Sequence, residues 1–384
     1  MIAPDKFKGS LSAEEACRAI AAGVRRVARE VELVEIPMAD GGEGTVAALV
    51  AATRGKLRSV KVCGPLGGEV EAEYGILGDL WGSGSAGLKT AVIEMASAAG
   101  LVLVEAGLRN PLNTTTYGVG QLILDGLEQG CRDFVIGIGG SATNDCGCGM
   151  GQALGVRFLD GEGKEMRIKL TGGLMGQAGS VDVSGIDLRV AQSRFVVACD
   201  VENPLLGANG ASYVYGPQKG ADERILEVLE ANMAQIIGLI EGETGREVRE
   251  IPGAGAAGGL GAGMMAFLGG KLDRGIEIVM RYSHFSERIH GARLVITGEG
   301  RIDLSTAFGK TISGVAAEAK RQSVPVIALT GAVGEGWEKI YELGVTAVMP
   351  ICSRPMSLAE AMEDGAELLS QAAEQAWRIS QIKL

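Results

Sequence analysis

The feature that most constrains this chain is a repeated unit: a short apolar run, a loop rich in glycine and acids, then a helical stretch. Near the N-terminus, 1–5 is a short apolar segment ending in Pro4-Asp5. Ser10 or Ser12 then fits a helix cap, with Glu14 and Glu15 in the first turn and the helix continuing to Val27. Val31–Pro37 reads as a strand, 40–44 as a turn and Thr45–Ala52 as a second helix. The same rhythm returns after Phe285: strands at Arg293–Thr297, Val324–Leu329 and Val345–Ile351 alternate with helices at Thr311–Arg321, near Trp337 and at Ser357–Arg378. Strands joined through helices run parallel, so both ends predict one parallel sheet.

The middle is less regular. Arg58–Cys63, Glu69–Leu77 and Thr90–Met95 read as strands, where short strands with Gly-rich breaks suggest a local antiparallel piece; strands at Asp133–Gly139 and Arg194–Cys199 and helices at Thr115–Gln129 and Glu223–Ile240 follow. With 384 residues the chain exceeds one ordinary core. The expectation is an α/β protein of two domains. A Rossmann-like parallel-sheet domain would be formed by both termini (1–65 plus 286–384), with a second α/β domain inserted between (66–285) and a ligand cleft between the two.

Composition removes several classes of function. A net charge of −11 argues against a nucleic-acid partner, which needs clustered Lys and Arg. Seven irregularly spaced Cys without a secretory signal fit a reduced, cytoplasmic setting. No apolar run reaches the roughly 18 residues of a membrane span. The two His, His284 and His290, are too few for a His zinc site or a Ser–His–Asp triad. A homodimer is compatible with the sequence, which does not require one.

The 60 glycines gather in loops where backbone must turn sharply or approach a ligand. Five such loops combine Gly with polar groups. Asp5, Lys6, Lys8 and Ser10 stand at a strand end and helix start, where an anion can sit; an ordinary capped turn is the plainer reading. Asp40 and Glu43 flank three Gly, suiting a metal-bound phosphate or a hydroxyl; a plain turn with a capping acid fits as well. Gly139, Gly140, Ser141, Ala142, Thr143 and Asn144 follow a buried strand and form a plausible phosphate cradle of N–H and hydroxyl groups, set against a tight structural turn. Asp200 ends a strand ahead of Asn203-Pro204, where α/β folds place catalytic groups and an acid can receive a hydroxyl proton, or where an Asx-turn would stand. Glu299, Arg301, Asp303 and Lys310 form either an anion site or an internally salt-bridged loop.

Three patterns are set aside. Gly309-Lys310-Thr311 looks like a P-loop tail, but Leu304 occupies the place of that motif's first Gly. The G-x-G-x-x-G match at 253–258, which would suit a dinucleotide-dependent oxidoreductase, has no strand leading into it. Cys146-Gly147-Cys148 has no partner pair for a metal.

Taken in order, the loops resemble the glycerate kinase family of the bacterial glycerate 2-kinase type. The resemblance rests on 3–5 with 7–10, 40–45, 110–112 with 114–118 and 138–145. It continues through 198–201 with 203–205, 216–221, 252–263, and 297–303 with Gly309-Lys310. It implies a phosphotransferase with an alcohol group as acceptor, using ATP and Mg²⁺ on D-glycerate to give 2-phosphoglycerate. A 3-kinase outcome and a non-catalytic sugar-acid-binding protein are the alternatives. Within that frame Asp200, Arg301 and Lys8 are the expected catalytic residues. The loop 139–144 is assigned to ATP; Asp5, Ser10, Asp40, Glu43 and Arg301 to substrate; Glu299 and Asp303 to the metal.

Overall fold

The computed structural model describes residues 1–78, 88–307 and 310–382. Gly309 of the expected Gly-Lys pair lies outside the described residues. The described strands are β1 (Lys56–Cys63), β2 (Glu69–Ile76), β3 (Thr90–Glu94), β4 (Asp133–Gly137), β5 (Arg157–Asp160) and β6 (Ala178–Asp182). They continue with β7 (Arg194–Ala198), β8 (Lys271–Asp273), β9 (Val295–Ile302), β10 (Val326–Val333) and β11 (Ala347–Pro350). The chain forms two compact units, one of Met1–Asp40, Ala47–Gly55 and Ile276–Leu384, the other of Gly41–Val46 and Lys56–Gly275.

The divisions differ from the expected 1–65, 66–285 and 286–384. Residues 56–63 join the second unit because β1 pairs antiparallel with β2 along its whole length. Helix Gly275–Tyr282 packs in the first unit, where a Cβ on Gly314 would meet Ile276 at 2.4 Å. Residues 41–46 belong to the second unit: a Cβ on Gly137 would lie 2.6 Å from the Gly41 carbonyl.

In the first unit the parallel sheet runs β11-β10-β9 and continues through residues 1–5 to 34–38. Ala3 N–H donates to Ile296 O, Asp5 N–H to Gly298 O and Ile36 N–H to Ile2 O, each at 2.8 Å. The expected strand at 31–37 is thus a short parallel pairing centred on Glu35. Helix Ala13–Val27 has a capping box, with Ser12 Oγ accepting from Glu15 N–H and the Glu15 carboxylate accepting from Ser12 N–H. Its apolar face joins Ile296, Ile327, Leu329 and helix Gly365–Ser380 in one core. The alternating residues Val295, Val326 and Ala328 are buried on the other face, which helix Thr311–Arg321 contacts.

The expected single last helix breaks into Leu358–Glu363 and Gly365–Ser380. Ser10 Oγ donates to the Met362 carbonyl at 2.6 Å, taking an acceptor that a continuous helix would use. Gly365 makes room for it, since a Cβ there would lie 2.3 Å from Ser10 Oγ. The helix expected near Trp337 is a short 3₁₀ turn over Trp337–Tyr341.

The second unit is built on a six-stranded mixed sheet, β1-β2-β3-β4-β7-β8. The β1–β2 and β2–β3 pairs are antiparallel; β3–β4, β4–β7 and β7–β8 are parallel. β5 and β6 form a separate antiparallel pair. The run at 252–263 enters helix Ala256–Leu268, whose first turn is not regular: Ala257, Gly258 and Gly259 have φ of 53°, 69° and 84°. Gly258 fits because its absent Cβ would lie 2.0 Å from the Thr143 carbonyl oxygen.

Candidate active site

Open parallel sheets bind ligands beyond the C-terminal ends of their strands, where neighbouring strands send their helices to opposite faces. In the first unit that point lies between residues 1–5 and β9. Residues 1–5 lead through helix Ala13–Val27 to 34–38 on one side; β9 leads through helix Thr311–Arg321 to β10 on the other. Asp5 and Glu299 stand at these two ends.

A cavity of about 510 Å³ opens there, lined on its polar side by Asp5, Lys8, Asp40, Glu299, Arg301 and Lys310. Asp5 is 7% exposed. Its Oδ1 accepts from Lys6 N–H at 2.6 Å and its Oδ2 from Thr311 Oγ1 at 2.5 Å. Burial pushes its carboxyl above the ordinary value despite the Thr311 bond, and the charge of Asp40 adds to the rise. Glu299 Oε1 accepts from Thr306 Oγ1 at 2.7 Å. Burial raises the Glu299 carboxyl to about 7 against the pull of that bond, and the Asp5 charge adds to it. Two reluctant carboxyls therefore sit in the company of Lys8, Arg301 and Lys310.

The structure separates the other expected residues by what already holds them. Asp303 Oδ1 accepts from Ser305 N–H and Oγ at 2.9 and 2.6 Å, and its Oδ2 lies 3.3 Å from Arg301 Nε. These bonds hold its carboxyl below the ordinary range, so Asp303 is an ionised acid whose two oxygens already have partners within its own loop. Arg301 is exposed, and Lys310 Nζ donates to Ser305 Oγ at 2.8 Å. Ser10, expected on substrate, spends its hydroxyl on the Met362 carbonyl. Among the described residues no group of three or more His, Cys, Asp or Glu is arranged to hold a metal ion.

In the second unit the ends of β3, β4 and β7 carry a second polar rim. The glycine loop 41–44 lies over it, with Gly44 and Val46 N–H both donating to Glu94 Oε1, at 3.0 and 2.9 Å. Gly41 has φ of 89°, and a Cβ there would lie 2.6 Å from Gly275 Cα. Glu43, Gly139, Gly140 and Asp200 are exposed on this unit, and Asp200 Oδ1 accepts from Gly275 N–H at 3.0 Å.

The expected phosphate cradle divides at this point. Gly139 and Gly140 face solvent, but Ser141, Ala142, Thr143 and Asn144 are buried. Their backbone is tied inward: Ala142 N–H donates to Ala99 O, Thr114 Oγ1 to Ala142 O at 3.0 Å, and Lys219 Nζ to Thr143 O at 2.7 Å. Asn144 Nδ2 donates to Ser212 Oγ at 3.3 Å. Thr143 and Asn144 thus belong to a buried polar network and not to an open ligand surface.

Asp145 anchors that network. Its carboxylate accepts from Thr116 N–H and Oγ1, both at 2.8 Å, and from Gly147 and Gly149 N–H, both at 3.2 Å. Burial raises its carboxyl, and these donors oppose the rise. Burial lowers the Lys219 ammonium to about 7, against the attraction of Asp145. Sequence reasoning quoted 216–221 as a motif but gave Lys219 no role, because charge alone does not reveal burial. It also gave no role to Glu94, whose partners Gly44 and Val46 are far away in sequence, or to Asp145, bonded to the distant Thr116.

Cations and desolvated carboxyls at the switch point of a parallel sheet define an α/β enzyme that handles anionic ligands. The chain matches the model of the glycerate kinase family over residues 1–381 and belongs to that family. It is 51% identical over 373 residues to the glycerate kinase of Halalkalibacterium halodurans, covering 97% of this chain and 96% of the relative. It is 47% identical to the glycerate 2-kinase of Escherichia coli K12, covering 94% and 92%. The crystal structure of a Salmonella typhimurium LT2 protein given the provisional name glycerate kinase 2 superposes with a TM-score of 0.88 at 42% identity, covering 98% of this chain and 96% of that one. The protein is therefore a kinase, with the mixed α/β fold of that structure. None of its described helices is long and apolar enough to cross a membrane.

Proposed function

We propose that the protein transfers the γ-phosphoryl group of ATP to D-glycerate, giving ADP and 2-phosphoglycerate. The name of the E. coli relative supports the 2-position. The observation that carries the reading is the first-unit cavity, where Lys8, Arg301 and Lys310 accompany the buried carboxyls of Asp5 and Glu299. Phosphoryl transfer needs positioning and charge neutralisation far more than covalent help. Lys8 and Arg301 neutralise the transferring phosphoryl group, and Asp40 shares their cavity.

The residues present fit Mg²⁺. A nucleotide-bound Mg²⁺ needs only one or two protein carboxylates besides phosphate and water, and a cation would relieve the mutual repulsion that helps raise Glu299. Glu299 and Asp5 are the residues to hold it, in place of Asp303. When bound, the ion withdraws charge from the phosphate oxygens. Asp200 orients the acceptor hydroxyl and receives its proton as oxygen bonds to the γ-phosphorus and the bond to the β-phosphate oxygen breaks. Exposed N–H groups at Gly139 and Gly140 suit an anionic acceptor, and Glu43 suits its hydroxyls.

The test is Mg²⁺-dependent ADP release across a panel of small hydroxy acids, followed by phosphorus NMR of the product. D-glycerate should stand out and yield the 2-phosphate. A 3-phosphate product would correct the regiochemistry, and ADP release indifferent to every acid would remove the assigned acceptor.

A further inference from the structure

The first-unit cavity is not polar all round. Besides the charged groups, its lining includes Ile351, Cys352, Leu358, Ala361 and Met362. Ile351 is 5% exposed, whereas Leu358 at the mouth is 76% exposed. Single exposed leucines are ordinary on protein surfaces. This one continues an apolar wall inside a cavity whose other side is ionic.

The two characters are ordered along the sheet. Asp5 and Lys8 stand at and just after the end of residues 1–5, and Glu299 and Arg301 on the last residues of β9; Ile351 and Leu358 follow β11, with Gly331 and Ala332 of β10 between the two groups. Two strand spacings separate β9 from β11, or about 10 Å. A three-carbon hydroxy acid has no apolar face for such a wall and would leave most of the cavity empty. Of a kinase's two substrates, the nucleotide alone combines an anionic end with a flat, weakly polar ring system. A cavity of about 510 Å³ lies in the range that encloses a ligand of that size.

We propose that this cavity is the adenine-nucleotide subsite, with the purine against Ile351, Leu358 and Met362 and the phosphates toward Lys8, Arg301 and Lys310. The inference rests on ATP being the phosphoryl donor. It moves the nucleotide from the loop 139–144, where the sequence placed it, to the unit whose open cavity has room for it. Ala361 stands on the helix turn facing the ring and sets how much room the base has. The buried Asn144 side chain then keeps its bond to Ser212, and the Thr143 carbonyl its bond from Lys219.

Cys352 provides a reporter. Among the described cysteines, Cys352 and Cys199 are half-exposed and the others are buried. Alkylation of the intact protein, read peptide by peptide by mass spectrometry, is followed with adenosine, ADP or inorganic tripolyphosphate present. Adenosine and ADP should slow modification of Cys352 and leave Cys199 unchanged; tripolyphosphate should protect Cys352 less than ADP does. Leu358→Glu should raise the ADP Kd by roughly tenfold while tripolyphosphate affinity holds. An acid suits that first helical turn, so the fold should survive. Ala361→Leu, which fills the cavity with a helix-favouring side chain, should act the same way and guards against a misfolded first variant. Unchanged ADP affinity in both variants, or no protection of Cys352 by adenosine, overturns the subsite. The wild-type turnover assay separates the two readings. Protection without glycerate-dependent ADP release sinks the assigned reaction alone, and normal release without protection sinks the subsite alone.

Discussion

Replacing Glu299 by Gln tests whether the active-site carboxyl is held at a cost. The substitution keeps the shape and an oxygen to accept from Thr306 Oγ1, and removes the charge. Burial, assisted by Asp5, raises the Glu299 carboxyl from an ordinary 4.5 to about 7. Below the lower value the group is protonated in both folded and unfolded chains, and Gln gains nothing. Between the two values the folded state keeps a proton that the unfolded state has lost, so wild-type stability falls as pH rises. Above about 7 the full cost is present, at most about 3 kcal/mol. E299Q should therefore match wild type near pH 4.5 and exceed it at pH 8 by up to about 6–12 °C in Tm, taking roughly 2–4 °C per kcal/mol for a unit of this size. The assay is thermal unfolding of both proteins, ligand-free, across that pH range. Turnover of E299Q should drop at every pH. A difference in Tm that does not change with pH, or a variant less stable than wild type at pH 8, would refute the burial argument.

Three further outcomes follow from the second unit. Gly258→Ala should cost more than about 3 kcal/mol, because its φ of 69° is joined to a Cβ position 2.0 Å from the Thr143 carbonyl; Gly107→Ala, with nothing within 4 Å, is the neutral comparison in the same urea titration. Lys219→Met should cost about 1–3 kcal/mol by leaving the buried Thr143 carbonyl without its Nζ donor; a midpoint close to wild type would mean that this side chain is dispensable. Asp200→Asn keeps an oxygen for the Gly275 N–H at 3.0 Å, so Tm should hold while kcat falls by about 10²–10⁴; near-normal turnover would take Asp200 out of the reaction.

The helical and strand periods were largely legible in the chain because they depend on neighbours. Ser10 or Ser12 ahead of Glu14 and Glu15 marked the first helix, whose cap is Ser12; the apolar run at 133–139 marked β4, and an antiparallel piece was expected among the runs that include β1 and β2. Breaks that depend on distant partners were not legible. The last helix is interrupted by Ser10, more than three hundred residues away in the chain, so its local sequence reads as continuous.

By itself the sequence determined an α/β chain with acid-bearing glycine loops at strand ends, and the order of those loops pointed to a kinase family. The tertiary structure alone decided what each polar group in the loops is free to do. Thr143 and Asn144 look like a phosphate cradle in one dimension, yet Lys219 and Ser212 draw that segment into the interior. Asp303 looks like a free acid in one dimension, yet Ser305 and Arg301 partner its oxygens. Glu299, with the same side-chain chemistry as any exposed Glu, becomes a group poised near neutral pH because burial removes the water that would hold its charge.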